Sequence, residues 1–242
     1  MSHHITFVTY NLGSVPRGTI PFVVEEIMKH QPNFVAFQEC ARLDWEIIAR
    51  EMKTHGLTHQ RFDECLRKQV CDMLFSSTAL TKKDYRFFTR TNEERGIITY
   101  IAKIPYSKQN DDGVVETNFV EVCVGTTQLE RDARYLANRK FQISELLPIV
   151  NSMNSTSVCV LGMDTRIESW QNNAFDELTF ASSWQDTWKE CGSNKNEFTT
   201  YSRDRPDRIL YRGLECVRHD NLSFGTEDLR KGVIAQFALV NI

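Results

Sequence analysis

Three short apolar runs, each ending abruptly in polar residues, restrict what this chain can become. They are Phe7-Val-Thr-Tyr-Asn11, Phe34-Val-Ala-Phe-Gln-Glu39 and Val158-Cys-Val-Leu-Gly-Met-Asp164, the last followed by Thr165 and Arg166. Runs of this length, without polar alternation, fit strands covered on both faces, which requires layers above and below a sheet. Each run delivers a hydrogen-bonding or acidic side chain to its carboxyl end. Asp at such a place also favours turns, so one strand end alone reads either as a turn or as a site. Three ends carrying Asn11, Glu39 and Asp164 point to a site.

The rest of the pattern supplies the layers. Helical spacing predicts helices over 20–30, 43–53 and 129–151, and β-rich stretches fall at 73–78, 86–89, 97–104, 114–126, 208–211 and 233–240. Asn110-Asp-Asp-Gly113 reads as a hairpin turn, and its acidic pair as a solvated turn rather than a metal site. Helices after the early strands, then a meander, then a helix and more strands predict an α/β, four-layer sandwich. In it, two packed mixed β-sheets carry helices on their outer faces. With 242 residues, 41% of them hydrophobic, the expectation is one domain spanning 1–242.

Charge and cysteine usage bound the function. A net charge of −3 argues against nucleic-acid binding by bulk electrostatics and leaves a local basic patch open. The seven cysteines are scattered without a Cys-x-x-Cys pair, so zinc is not expected. Cys65 and Cys71 with His55 and His59 match no standard zinc spacing. Free thiols suit a reducing compartment. No apolar h-region precedes Ile5 and no apolar run reaches spanning length, so the expectation is an intracellular protein, nuclear or cytoplasmic, without a membrane partner.

The order of several short motifs resembles the endonuclease/exonuclease/phosphatase superfamily, and within it the tyrosyl-DNA phosphodiesterase type. The motifs are Thr9-Tyr-Asn11, Phe37-Gln-Glu39, Thr126-Thr-Gln-Leu-Glu130, Arg139-x-x-Gln142, Met163-Asp-Thr165, Trp184-x-x-x-Trp188 and Pro206-Asp-Arg-Ile209. The resemblance implies a metal-dependent phosphoesterase. Glu39, with Asn11 beside it, would hold Mg²⁺, Asp164 would orient or deprotonate the attacking water, and Asp207 would support the site. Hard oxygen donors completed by water and phosphate suit that ion.

Three departures alter the implication. Gln128 stands at the family's histidine in Thr-x-His-Leu-Glu, and Arg166 stands at the asparagine of Asp-x-Asn. The stretch 226–232, Thr-Glu-Asp-Leu-Arg-Lys-Gly, offers no histidine where the family has Ser-Asp-His, and His219 lies too early. A positioned acid–base group contributes roughly 10²–10⁴ in rate. The expectation is therefore a degenerate, inactive or strongly impaired phosphodiesterase fold that acts through binding. Arg166, Gln128, Arg230 and Lys231 would hold phosphate or an acidic group of a nucleic-acid 5′ end or a protein partner. Arg166 either replaces the metal's charge or forms an ordinary surface pair. The alternatives are a working, divergent Mg²⁺-dependent phosphodiesterase cleaving 5′-phosphotyrosyl ends, and a phosphatase acting on small molecules or lipids. The tryptophans serve either as base-stacking platforms or as core.

Overall fold

In the computed structural model, residues 4–13, 15–62, 70–91, 94–109, 112–130, 136–153, 156–166, 183–192, 199, 206–224 and 231–239 are described. Cys65, Trp170, Arg230, and Asn110 and Asp111 of the 110–113 turn lie outside them. The chain runs β1 (His4–Asn11), α1 (Ile20–Met28), β2 (Phe34–Ala41), α2 (Trp45–Thr54), β3 (His59–Phe62) and β4 (Val70–Ser76). It continues through β5 (Leu80–Phe87), β6 (Gly96–Gln109), β7 (Val115–Gln128), α3 (Leu136–Met153) and β8 (Val158–Asp164). The last elements are β9 (Gln185–Asp186), α4 (Thr187–Cys191), β10 (Asp207–Arg212), β11 (Glu215–Leu222) and β12 (Gly232–Ala238).

Two six-stranded mixed sheets result, ordered β11-β12-β1-β2-β4-β3 and β5-β6-β7-β8-β10-β9. Their inner faces interdigitate through Phe7, Phe34, Ile98, Tyr100, Val122, Val160 and Phe237. The outer face of the first sheet packs Val8, Val35 and Phe75 against Val23, Ile27, Ile48 and Met52 of α1 and α2. The outer face of the second packs Ile97, Cys123 and Leu161 against Ile143, Leu147 and Val150 of α3. This is the four-layer sandwich expected from the sequence. It explains the unalternating strands, because β1, β2 and β8 at its centre bury both faces.

The differences are local. Leu129 and Glu130 are not helical, and α3 starts only at Leu136 in the described residues. The Leu129 N–H donates to the Asp164 carbonyl at 3.0 Å, which prolongs the β7–β8 ladder through a residue whose spacing fits the helix. β5 begins earlier than expected, at Leu80, because Thr81-Lys-Lys-Asp84 disguises an edge strand that carries a bulge. β3 is a four-residue edge strand without a hydrophobic signature, held by pairing with β4. Trp184 is buried beside α3, so there the core reading holds. The described cysteines carry free thiols, and burial pushes Cys40 well up from its ordinary range.

The two sheets approach closely under the end of β8. A Cβ added to Gly162 would lie 2.7 Å from Phe7 Cε1 and 2.9 Å from Thr9 Cβ, on the opposite sheet. Gly162→Ala is expected to cost about 1–3 kcal/mol of stability, the range for overfilling a packed core. Denaturant unfolding checks it, and a midpoint equal to wild type would show that the sheets separate freely.

Candidate functional site

The site forms where neighbouring strands of both sheets end together. Register places Asn11 beside Gln38 in the first sheet, and Gln128 and Asp207 on either side of Asp164 in the second. Asn11, Glu39, Gln128, Asp164 and Asp207 are all buried. Glu39 reaches the cleft through a bulge in β2 between Phe37 and Cys40, with φ of 54°. A non-glycine residue in that region is uncommon and here redirects a side chain, as bulges beside sites often do. Gly13 makes room for it, since a Cβ there would fall 1.9 Å from Glu39 Oε2.

Hydrogen bonds tie these groups into one network. Asn11 Nδ2 donates to Asp164 Oδ2 at 2.6 Å, and Asn11 Oδ1 accepts from the Gly13 N–H at 2.8 Å. Gln128 Nε2 lies 3.4 Å from the same Asp164 oxygen, and Gln128 Oε1 accepts from the Arg95 guanidinium. Below them Gln38 Nε2 donates to Thr9 and to Thr126 at 2.9 Å each, joining the sheets beneath the site.

Arg166 completes the arrangement. Asp164 Oδ1 accepts the Arg166 backbone N–H at 3.0 Å, an Asx turn that sets Arg166 in the left-handed region at φ 51°. The turn folds the guanidinium back over the strand end. One terminal nitrogen donates to Glu39 Oε2 at 2.6 Å, and Nε sits 2.8 Å from Asp164 Oδ2 as a charge contact rather than an aligned hydrogen bond. With its side chain 21% exposed against 4% for Glu39 and 0% for Asp164, Arg166 faces the cleft and not open solvent. The surface-pair alternative is therefore set aside. Arg139 donates to the Arg166 carbonyl and holds the turn down on α3.

Chemically, the donors are already engaged. Asn11 uses its oxygen on Gly13, Glu39 Oε2 holds a guanidinium, and Asp164 receives contacts on both oxygens. A divalent ion at Glu39 would have to displace a fixed cation, and like charges at that separation repel strongly in a partly buried site. The residues as arranged do not fit Mg²⁺. Among the described residues no cluster of three or more metal-capable side chains occurs.

The remaining sequence-singled residues fall as follows. Arg139 and Gln142 fasten loops: Gln142 accepts from the Glu130 N–H at 3.0 Å and donates to the Arg90 carbonyl at 2.8 Å. The Lys231 backbone N–H donates to the Thr199 carbonyl at 3.0 Å, and Thr199 Oγ1 lies 3.5 Å from the Asp207 N–H. His219 is inside β11, paired with Ala235, and its Nδ1 shares a 2.8 Å hydrogen bond with Thr187 Oγ1. Arg95 is a site residue that sequence reasoning passes over. It lines, with Glu39, Gly13 and Asp44, a pocket of about 230 Å³ whose wall is Leu12, Val15, Ile20 and Ile48.

Two helix-flanked sheets whose central strand ends converge in this way define the endonuclease/exonuclease/phosphatase fold. Among solved structures the chain is similar to truncated TDP2 of Caenorhabditis elegans, at 14% identity over 97% of each chain with TM-score 0.72. It is also similar to D. rerio TDP2 complexed with a single-strand DNA product, at 14% identity over 97% of this chain and 98% of that one, with TM-score 0.73. The human Nocturnin catalytic domain with bound sulfate shares 15% identity over 98% of this chain and 96% of its own, with TM-score 0.75. At these identities the likeness carries the fold. No protein-family model and no curated protein matches the sequence.

Removing the guanidinium should expose its structural weight. Arg166→Met leaves Glu39 and Asp164 as buried carboxylates without that cation, and is expected to cost about 3 kcal/mol, the lower end for breaking a buried pair. Glu39→Gln should cost less, because Arg166 keeps Asp164. Denaturant unfolding of the two variants checks the order, and equal stabilities would sink it.

Proposed function

We propose that this chain is a non-hydrolysing protein of the phosphodiesterase fold that acts by binding through the cleft at the ends of β1, β2 and β8. The observation that carries the reading is the Arg166 guanidinium between Glu39 and Asp164. It takes the place of a removable metal charge with a permanent one. The Asp164 oxygens already hold a guanidinium, an amide and a backbone N–H, so they are engaged where a water would have to be oriented. Gln128 can donate a hydrogen bond but cannot shuttle a proton at neutral pH. The ligand proposed is a nucleic-acid 5′ phosphate, held by charge-assisted bonds from Arg95 and Arg166, with an acidic segment of a protein partner as the other occupant of the same chemistry. Of the two arginines, Arg95 lines the pocket beside Glu39. The free thiols support an intracellular setting, nuclear or cytoplasmic. No helix of the described residues is long and apolar enough to cross a membrane.

One observation favours a second reading. Asn11, Glu39 and Asp164 do converge, so a ligand that draws Arg166 away would release two carboxylates. That reading is a slow, metal-dependent phosphodiesterase acting on 5′-phosphotyrosyl or related bonds.

The deciding assay is hydrolysis of a 5′-phosphotyrosyl oligonucleotide with Mg²⁺ or Mn²⁺, run beside Glu39→Gln. The expected result is no metal-dependent cleavage by either protein. Cleavage by the wild type that disappears in the variant would make this an enzyme and overturn the proposal. A second measurement addresses the charge directly. In Arg166→Asn, Mg²⁺ should raise the unfolding temperature more than it does in wild type, and an identical response would show that Arg166 does not displace the ion.

A further inference from the structure

β6 and β7 pair with each other along their whole length, from Ile97 with Thr127 to Gln109 with Val115. Their outer neighbours are shorter. β5 reaches only the Leu80–Ala102 pair, and β8 begins at the Val158–Val122 pair. Lys103–Gln109 and Val115–Glu121 therefore form a two-stranded ribbon that continues beyond the sheet, with no strand on either edge among the described residues.

The two edges differ in chemistry. The β6 edge carries Lys103 and Pro105, a charge and a missing N–H donor of the kind that blunts sheet edges. The β7 edge, Val115-Glu-Thr-Asn-Phe-Val-Glu121, carries neither Pro nor Lys. The faces differ too. Val120 and Ile104 point into the core between the sheets. The opposite face shows Val115 at 65% and Phe119 at 63% exposure, with Val114 at 55% beside them. Further along the strand the same face is the one α3 covers over Cys123.

We propose that this edge pairs with a second copy of the chain, Val115–Phe119 running antiparallel to itself about a two-fold axis through Thr117. This register sets Val115 opposite Phe119 of the second copy, Thr117 opposite Thr117, and Glu116 opposite Asn118. Aromatic with β-branched and Thr with Thr are favourable cross-strand pairs, and no like charges face each other. A shift that centres Glu116 puts two carboxylates opposite one another, and one that centres Asn118 sets Val115 against Glu121. Antiparallel pairing keeps the side-chain alternation, so the exposed Val115 and Phe119 of both copies merge into one apolar face. The contact is isologous and closes as a dimer. A short ladder belongs with small interfaces, so the association expected is weak.

Sedimentation velocity from about 1 to about 100 µM should show the mass rising from one chain towards two. Thr117→Lys opposes two cations at the axis and is expected to weaken association by at least about tenfold. Thr117→Cys tests the register. With oxidised glutathione as electron acceptor, two axial thiols should join as an intermolecular disulfide well before those of Glu121→Cys or the unmodified protein. A single-chain mass at the highest concentration overturns the proposal. So does a dimer indifferent to Thr117→Lys, or equal cross-linking rates, which would place the interface elsewhere.

Discussion

One guanidinium shared between two sheets governs this molecule's cleft. Glu39 comes from the first sheet and Asp164 from the second, and both are buried at strand ends that the packing forces together. Two carboxylates brought together out of water repel, so either one takes up a proton or a positive group lies between them. In a metal-dependent phosphoesterase a divalent ion serves that need. Here the chain supplies Arg166, positioned by the Asx turn of Asp164 and by Arg139 from α3. The positive φ at both Glu39 and Arg166 shows the backbone bending from each side to make this contact. Such strain persists where the surrounding structure over-determines it.

The polar groups around that contact show how far it extends. Asn11 is fixed by Gly13 and Asp164, Gln128 by Arg95 and Asp164, and Gln38 spans from Thr9 to Thr126. A buried network of this kind is stable only when its members are mutually satisfied. Substituting one member for a catalytic group would leave others unpaired. Gln128 and Arg166 thus belong to one coordinated arrangement around Asp164. An amide that accepts from Arg95 and donates towards Asp164 fits beside a guanidinium, where a protonated imidazole would add a further cation.

What was legible in the sequence follows from range. Asn11, Glu39 and Asp164 stand at the ends of runs whose burial on both faces erases alternation, so local pattern finds them. Arg95 contacts Gln128, 33 residues away, and Gln38 reaches Thr126 across 88. No local pattern encodes such partners. Arg166 was visible as a departure, but its direction came from a turn and a bulge that only the fold sets. The extents of β5 and β6 were underestimated for a related reason: edge and ribbon strands carry polar residues on a solvated face, which weakens the apolar signal. The helical spacing before α3 misled because Leu129 is buried as a strand extension rather than as a helix face.

The cleft and the ribbon lie at opposite ends of one strand. From Thr117 to Gln128 β7 runs eleven residues, roughly 36 Å at the usual rise of an antiparallel strand. Two copies joined at Thr117 would hold their clefts at the far ends of the assembly, unobstructed by the contact. For an enzyme that geometry adds little, because each centre turns over alone. For a protein that binds, it matters: a ligand with two suitable phosphorylated ends meets the second cleft as an intramolecular event, and avidity rises without any new contact in either cleft. Weak individual sites, such as a cleft whose arginine already faces two carboxylates of its own, benefit most from that multiplication. On the proposed binding role, the occupied centre and the strand edge would serve the same end.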